Sequence, residues 1–314
     1  MRRLILLIPI IFLAVSLKPA YPYWIWSPKT RKWVNPKNVT KSTPKEQFEV
    51  ARSFYEGKQY EEAKREFKKL MRAFPKALES AESQYYLGLI DEAQGNLYEA
   101  YLNYQKLIDK YPFSERIQEA IEREYKIAEA FMAGKKRKAL GVALPVEHPA
   151  IEIFNKVIEN SSYGPLAPKA QYKLGMVLKS QMRYFEAEDV FNKVISNYPN
   201  SEWVEASKFQ IAACKAAVSR GSDYDQGATQ EAKEKFEEFL LEHPDAVLSR
   251  DAEKKISQLR EKEAEASFNT ARFYEKQKAF EAARLYYSEV IDKYSDTPWA
   301  AMAMERLKIL ENRK

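Results

Sequence analysis

The feature that most constrains this chain is self-similarity at a fixed period, because a repeated unit imposes a repeated packing arrangement. The stretch Gln84–Pro112, QYYLGLIDEAQGNLYEAYLNYQKLIDKYP, is matched at Gln171–Pro199 by QYKLGMVLKSQMRYFEAEDVFNKVISNYP. Gly88, Ala100, Tyr104, Leu107 and Pro112 in the first copy stand where Gly175, Ala187, Phe191, Val194 and Pro199 stand in the second. Each copy reads as a helix–turn–helix unit.

Six first helices carry an aromatic followed three residues later by Gly or Ala: Phe48/Ala51, Tyr85/Gly88, Tyr125/Ala128, Tyr172/Gly175, Phe209/Ala212 and Phe268/Ala271. Three residues is one helical turn, so each pair shares a face, and the small member lets a second helix approach. The second helices repeat Ala, then an aromatic four residues on, then an apolar residue three further. The sets are Ala63/Phe67/Leu70, Ala100/Tyr104/Leu107, Ala150/Phe154/Val157, Ala187/Phe191/Val194, Ala232/Phe236/Phe239 and Ala283/Tyr287/Val290. That spacing is an amphipathic stripe. Pro75, Pro112, Pro199 and Pro244 close four of these helices.

Twelve residues separate the small residue from the second-helix Ala in repeats one, two, four and six, against 22 in repeat three and 20 in repeat five. Two insertions follow, near 134–148 and 219–227. The first carries Lys135, Lys136, Arg137 and Lys138. Such a run is either a solvated loop or a contact for anionic lipid headgroups, a membrane-surface reading. The extra residues at 251–265 predict one long helix running to Lys276, and Pro298–Leu310 predicts a capping helix over the last apolar face.

The chain is 45% hydrophobic and 31% charged, with nine glycines in 314 residues, which favours helix. The net charge of +6 comes from 51 basic and 45 acidic residues interleaved along helix faces. A nucleic-acid binder concentrates its excess in a patch, so no nucleic-acid partner is expected. The single cysteine, Cys214, is expected as a small buried helix residue. His148 and His243 are expected to be structural. There is no Gly-rich phosphate loop, Cys/His metal spacing or nucleophile elbow, so no catalytic residue, metal, cofactor or small-molecule substrate is expected.

Arg2 and Arg3 precede an apolar run from Leu4 to Leu17. This is read as an export signal over residues 1–16, extending to 20 if cleavage follows Ala20, with an uncleaved anchor as the alternative. No lipid-attachment cysteine follows the run. Residues 17–44 form a Trp/Pro-rich extended arm, since its proline density excludes helix. Trp24, Trp26 and Trp33 either pack on the first repeat, dock a partner, or contact carbohydrate. The fold expected for 45–314 is an all-α solenoid of about six units.

These offsets identify the units as tetratricopeptide repeats. The last one, ASFNTARFYEKQKAFEAARLYYSEVIDKYSDTPWAAMAMERL, resembles the final repeat of BamD-type outer-membrane assembly factors. Ala271, Phe273 and Tyr274 match that family's A-x-F-Y. Tyr294, Asp296, Thr297 and Pro298 match its Y-P-D-T-P, with Ser295 in place of the first proline. The resemblance implies a non-enzymatic periplasmic scaffold, peripheral at the outer membrane. Its implied partners are a BamA-type barrel insertase and unfolded barrel proteins. Phe273, Tyr274 and Tyr294 would face the insertase, and Phe48, Tyr85, Tyr86 and Tyr125 would line a peptide groove. The alternative is a CpoB-like coordinator of envelope constriction or peptidoglycan synthesis. Those proteins begin with a coiled coil, and no heptad run precedes Gln47 here.

Overall fold

Thr43 starts the first helix by a local device. Its backbone is extended (φ −122°, ψ 152°), its hydroxyl accepts the Glu46 N–H at 3.2 Å, and Pro44 opens the helix behind it. Such a cap stabilises a helix by about 1 kcal/mol. The computed structural model describes residues 24–28, 31–35, 39–136, 148–219 and 226–311. The expected export signal, Arg137 and Lys138 lie outside the described residues.

Two compact units are found, 1–83 and 84–314. The first holds strands β1 (Ile25–Ser27) and β2 (Lys32–Val34) and helices α1 (Pro44–Glu56) and α2 (Tyr60–Ala73). Helix α3 (Leu78–Ala93) contains the boundary. The second unit continues with α4 (Leu97–Lys110), α5 (Ile117–Met132), α6 (Pro149–Asn160), α7 (Leu166–Ser180), α8 (Tyr184–Asn197), α9 (Trp203–Val218), α10 (Gln226–Glu242), α11 (Ser249–Lys276), α12 (Phe280–Lys293) and α13 (Pro298–Glu311). The pairs α1/α2 through α11/α12 are the six repeats, α11 is the long helix and α13 the cap. Helix α10 already begins at Gln226, so the second insertion is shorter than 219–227.

Part of the arm departs from a plain extended segment. β1 and β2 pair antiparallel, with Trp26 opposite Trp33 and their rings edge-to-face at 5.9 Å.

Within every repeat the first-helix aromatic packs on the second-helix aromatic. Ring centroids are 5.7 Å apart for Phe48–Phe67, Tyr85–Tyr104 and Tyr125–Phe154. They are 5.6 Å apart for Tyr172–Phe191, 5.5 Å for Phe209–Phe236 and 5.4 Å for Phe268–Tyr287. The small residue beside each pair makes room for it. A Cβ on Gly88 would lie 2.3 Å from the Tyr104 ring, and one on Gly175 2.6 Å from the Phe191 ring. The intra-repeat turns need a left-handed residue, which Gly95 supplies in repeat two at φ 72°. Lys58, Met182 and Lys278 take that conformation in repeats one, four and six, at a steric cost.

Helix α11 serves two cores. Ala252 and Leu259 close the fifth repeat around Phe209, Phe236 and Phe239. Phe268 and Ala271 open the sixth, with Tyr287, Val290 and, from the cap, Ala303 and Leu310.

Candidate protein-interaction surfaces

A tyrosine at the second-helix aromatic position brings a hydroxyl into a packed interface, and a buried hydroxyl needs an acceptor. In repeat two the Tyr104 hydroxyl donates to Glu92 at 2.6 Å, and Arg123 of the next repeat donates to the same carboxylate at 3.1 Å. Arg123 also donates to the Tyr85 hydroxyl at 2.7 Å, while that hydroxyl donates to Glu119. In repeat six the Tyr287 hydroxyl donates to Glu275 at 2.8 Å, and Arg306 of the cap pairs with that carboxylate. Glu-to-Tyr is 12 residues and Glu-to-Arg 31 in both. Burial, then the carboxylate, raises the Tyr104 pKa far above the phenol range and pushes Tyr287 up to about 12. Both hydroxyls stay protonated donors.

Repeat four departs at all three positions. Lys179 stands for the Glu, Phe191 for the Tyr and Gln210 for the Arg, and Lys179 donates to Gln210 at 2.6 Å. Beside this polar contact, Tyr172 and the Trp203 ring of the next repeat lie 4.9 Å apart.

A second recurring position explains Glu124. Four residues before the small residue, Gln47, Gln84 and Gln171 donate to the backbone carbonyls of Glu66, Asn103 and Val190 on their second helices. In repeat three that position is Glu124, fully buried, and its oxygens make no hydrogen bond of standard geometry. Burial, aided by Asp109 and opposed by Asn160 and Lys156, pushes its pKa up to about 8. A protonated Glu124 has a donor, as glutamine has elsewhere, and the equivalent residue on its second helix is Ile153.

These contacts correct part of the expected peptide groove. Tyr85 and Tyr125 are 2% and 4% exposed and held in ring pairs, so they are not groove walls. Tyr125 also donates to Glu129 at 2.8 Å, with Lys169 over its ring. Tyr86 is half-buried and edge-on to Tyr85. Phe48 is half-buried in the first unit.

The partner-docking residues fall into separate places. Trp24, Trp26 and Trp33 are 57%, 48% and 62% exposed, so the arm leaves its indoles at the surface. Phe273 is exposed and lies edge-on to Tyr274, which stacks flat on Tyr286 at 5.4 Å. Leu285 is exposed on the same α12. Tyr294 does not join this cluster. It ends α12, about 12 Å along the helix from Tyr286 at 1.5 Å per residue, under the Arg260 guanidinium that pairs with Asp296 at 2.7 Å. Lys135 and Lys136 are exposed.

The Glu/Tyr/Arg sets were not anticipated from the sequence. The paired spacings of 12 and 31 residues are the signal that could have revealed them. Cys214 is fully buried in α9, where burial pushes its thiol up to about 11. Among the described residues no helix is long and apolar enough to cross a membrane.

No curated protein gives a significant sequence match. Among solved structures, the C-terminal part of a tetratricopeptide-repeat protein from Cytophaga hutchinsonii is 19% identical, covers 83% of this chain and 87% of its own, and has a TM-score of 0.37. The MamA protein is 20% identical over 64% of this chain and 92% of its own, with a TM-score of 0.35. PilW, a type IV pilus biogenesis factor, is 12% identical over 84% and 100%, with a TM-score of 0.30. Residues 49–115 match a tetratricopeptide-repeat family. Residues 147–314 match the family YfiO, outer membrane lipoprotein. That match takes in more than half of the chain, the last repeats and the cap included, and the chain belongs to the YfiO outer membrane lipoprotein family.

Proposed function

We propose that this protein is a non-enzymatic scaffold at the periplasmic side of the outer membrane that assists insertion of β-barrel proteins. The YfiO match over 147–314 carries this reading. The cluster of Phe273, Tyr274 and Tyr286 supports it, because it puts aromatic surface on the last repeat. Exposed aromatics set on rigid helices make good interface anchors. In this reading the cluster faces a BamA-type insertase, and the exposed Trp24, Trp26 and Trp33 form a second docking strip. Tyr86 in the second unit and, separately, Phe48 in the first remain candidates for contact with unfolded barrel proteins. Lys135 and Lys136 are the described members of a basic loop suited to anionic headgroups.

The test is a photoreactive residue placed at Phe273, with crosslinked partners identified by mass spectrometry from native envelopes. Capture of the barrel insertase supports the reading. Capture of cell-wall synthases or constriction proteins instead replaces it with a coordinator of envelope constriction.

A further inference from the structure

A cavity of about 470 Å³ opens between the first helices of the last three repeats, a volume within the usual range for small-ligand pockets. Met176 of α7, Ala213 of α9 and Leu259 of α11 give it an apolar floor. Three lysines line it, Lys179 of α7 with Lys255 and Lys262 of α11, and no carboxylate does among the described residues. This breaks the charge pattern of the molecule. Lys69, Lys215 and Lys233, comparably shielded, each sit on a glutamate. Among the described residues the three cavity lysines bond only neutral groups, namely the Gln210 amide, the Gln258 amide and the Ser219 carbonyl. Each ammonium has three donors, so donors remain for a ligand. Burial, then the nearby Lys255, holds the Lys179 pKa below the usual lysine value. Uncompensated cations over an apolar floor are stabilised by an anion with an apolar body.

We propose that this cavity binds a small anionic amphiphile, its carboxylate or phosphate head held by Lys179, Lys255 and Lys262 and its alkyl chain on Met176, Ala213 and Leu259. The site stands whether or not the assembly role does. The experiment is calorimetric titration of the full chain with decanoate and with decyl phosphate, below their micelle concentrations. Decanol and inorganic phosphate serve as half-ligands. Both decyl anions are expected to bind at least about tenfold more tightly than either half-ligand, the scale of one charge-assisted hydrogen bond. The tighter anion identifies a carboxylate or a phosphate head. Lys255→Gln with Lys262→Gln, at positions outside the cores, should weaken binding about tenfold or more while the thermal midpoint holds. In the wild-type chain, NMR of methylated lysines should show Lys179 titrating at higher pH once the anion is bound. Absence of binding by both anions, decanol binding as tightly, or affinity unmoved by the two substitutions would overturn the proposal.

Discussion

Repeats two and six treat the junction to the next element differently from repeat four. Tyr104 and Tyr287 each place a hydroxyl in the helix interface, and Glu92 and Glu275 accept it. Arg123 and Arg306 then bring a cation from the following helix. Repeat four has no hydroxyl at Phe191, so neither the carboxylate nor its arginine is needed. A lysine takes the acid's position and a glutamine the arginine's. In these three repeats the residue on the second helix goes together with the charge on the first helix and on the repeat after it. The same skeleton yields a satisfied ion pair in two places and an unneutralised cavity lysine in the third.

The largest expected effect tests how firmly the rings are held. Gly88→Leu and Gly175→Leu should each cost about 3 kcal/mol by urea unfolding, the upper range for overpacked cores. Gly88→Leu should cost more, because the Tyr104 hydroxyl is tied to Glu92 whereas the buried Phe191 ring has no hydroxyl to be tied. Equal costs would show that the polar ties do not anchor the ring.

Glu124, the buried acid without an arginine, should give the next largest effect. Its pKa is raised on folding to about 8, so the folded state binds a proton that the unfolded chain releases near 4.5. Stability is therefore present below the unfolded pKa and lost as pH rises toward 8. Unfolding free energies from pH 5 to 9 should fall by roughly 2 kcal/mol or more in wild type on this account. Glu124→Gln should flatten that slope and be the more stable chain at pH 9. An unchanged slope in the variant would place the titration elsewhere.

Removing the acceptor in repeat six should matter more than removing its counterpart in repeat four. Glu275→Ala leaves the Tyr287 hydroxyl and Arg306 unpaired and should cost about 2 kcal/mol, whereas Lys179→Met should stay within about 0.5 kcal/mol. Smaller still is the transplant. Phe191→Tyr should cost about 1 kcal/mol alone, and adding Lys179→Glu and Gln210→Arg should recover it. Failure of the triple variant to recover would mean that spacing alone does not build the set. Least of all, Met182→Gly should stabilise repeat four by about 0.5 kcal/mol by relieving a left-handed backbone, while Gly95→Met should destabilise repeat two. Thermal melts of the two variants decide the sign.

The helices were legible in the sequence wherever packing alone sets the pattern. The aromatic/small pairs, the Ala stripes, α11 and the α13 cap all follow from one face of a 3.6-residue period. The hairpin at Trp26 and Trp33 was not legible, because each strand is only three residues long and prolines flank the segment. Tyr85 and Tyr125 were misplaced as groove residues for a related reason. Periodicity shows that a residue faces a partner helix, but not that the partner's ring fills the space. The cavity lay further out of reach, since Lys179 and Lys262 are brought together by three helices that share no short motif. Its one sequence trace is a lysine at a position that holds glutamate in repeats two and six.

Most neighbouring repeats meet at a turn, and a turn is a joint. Between the fifth core and the sixth there is none, because α11 runs unbroken for 28 residues, about 42 Å at 1.5 Å per residue. That helix acts as a beam. A load applied at the last repeat passes to the wall of the lysine cavity as a rotation of the whole rod, with no flexible link to absorb it.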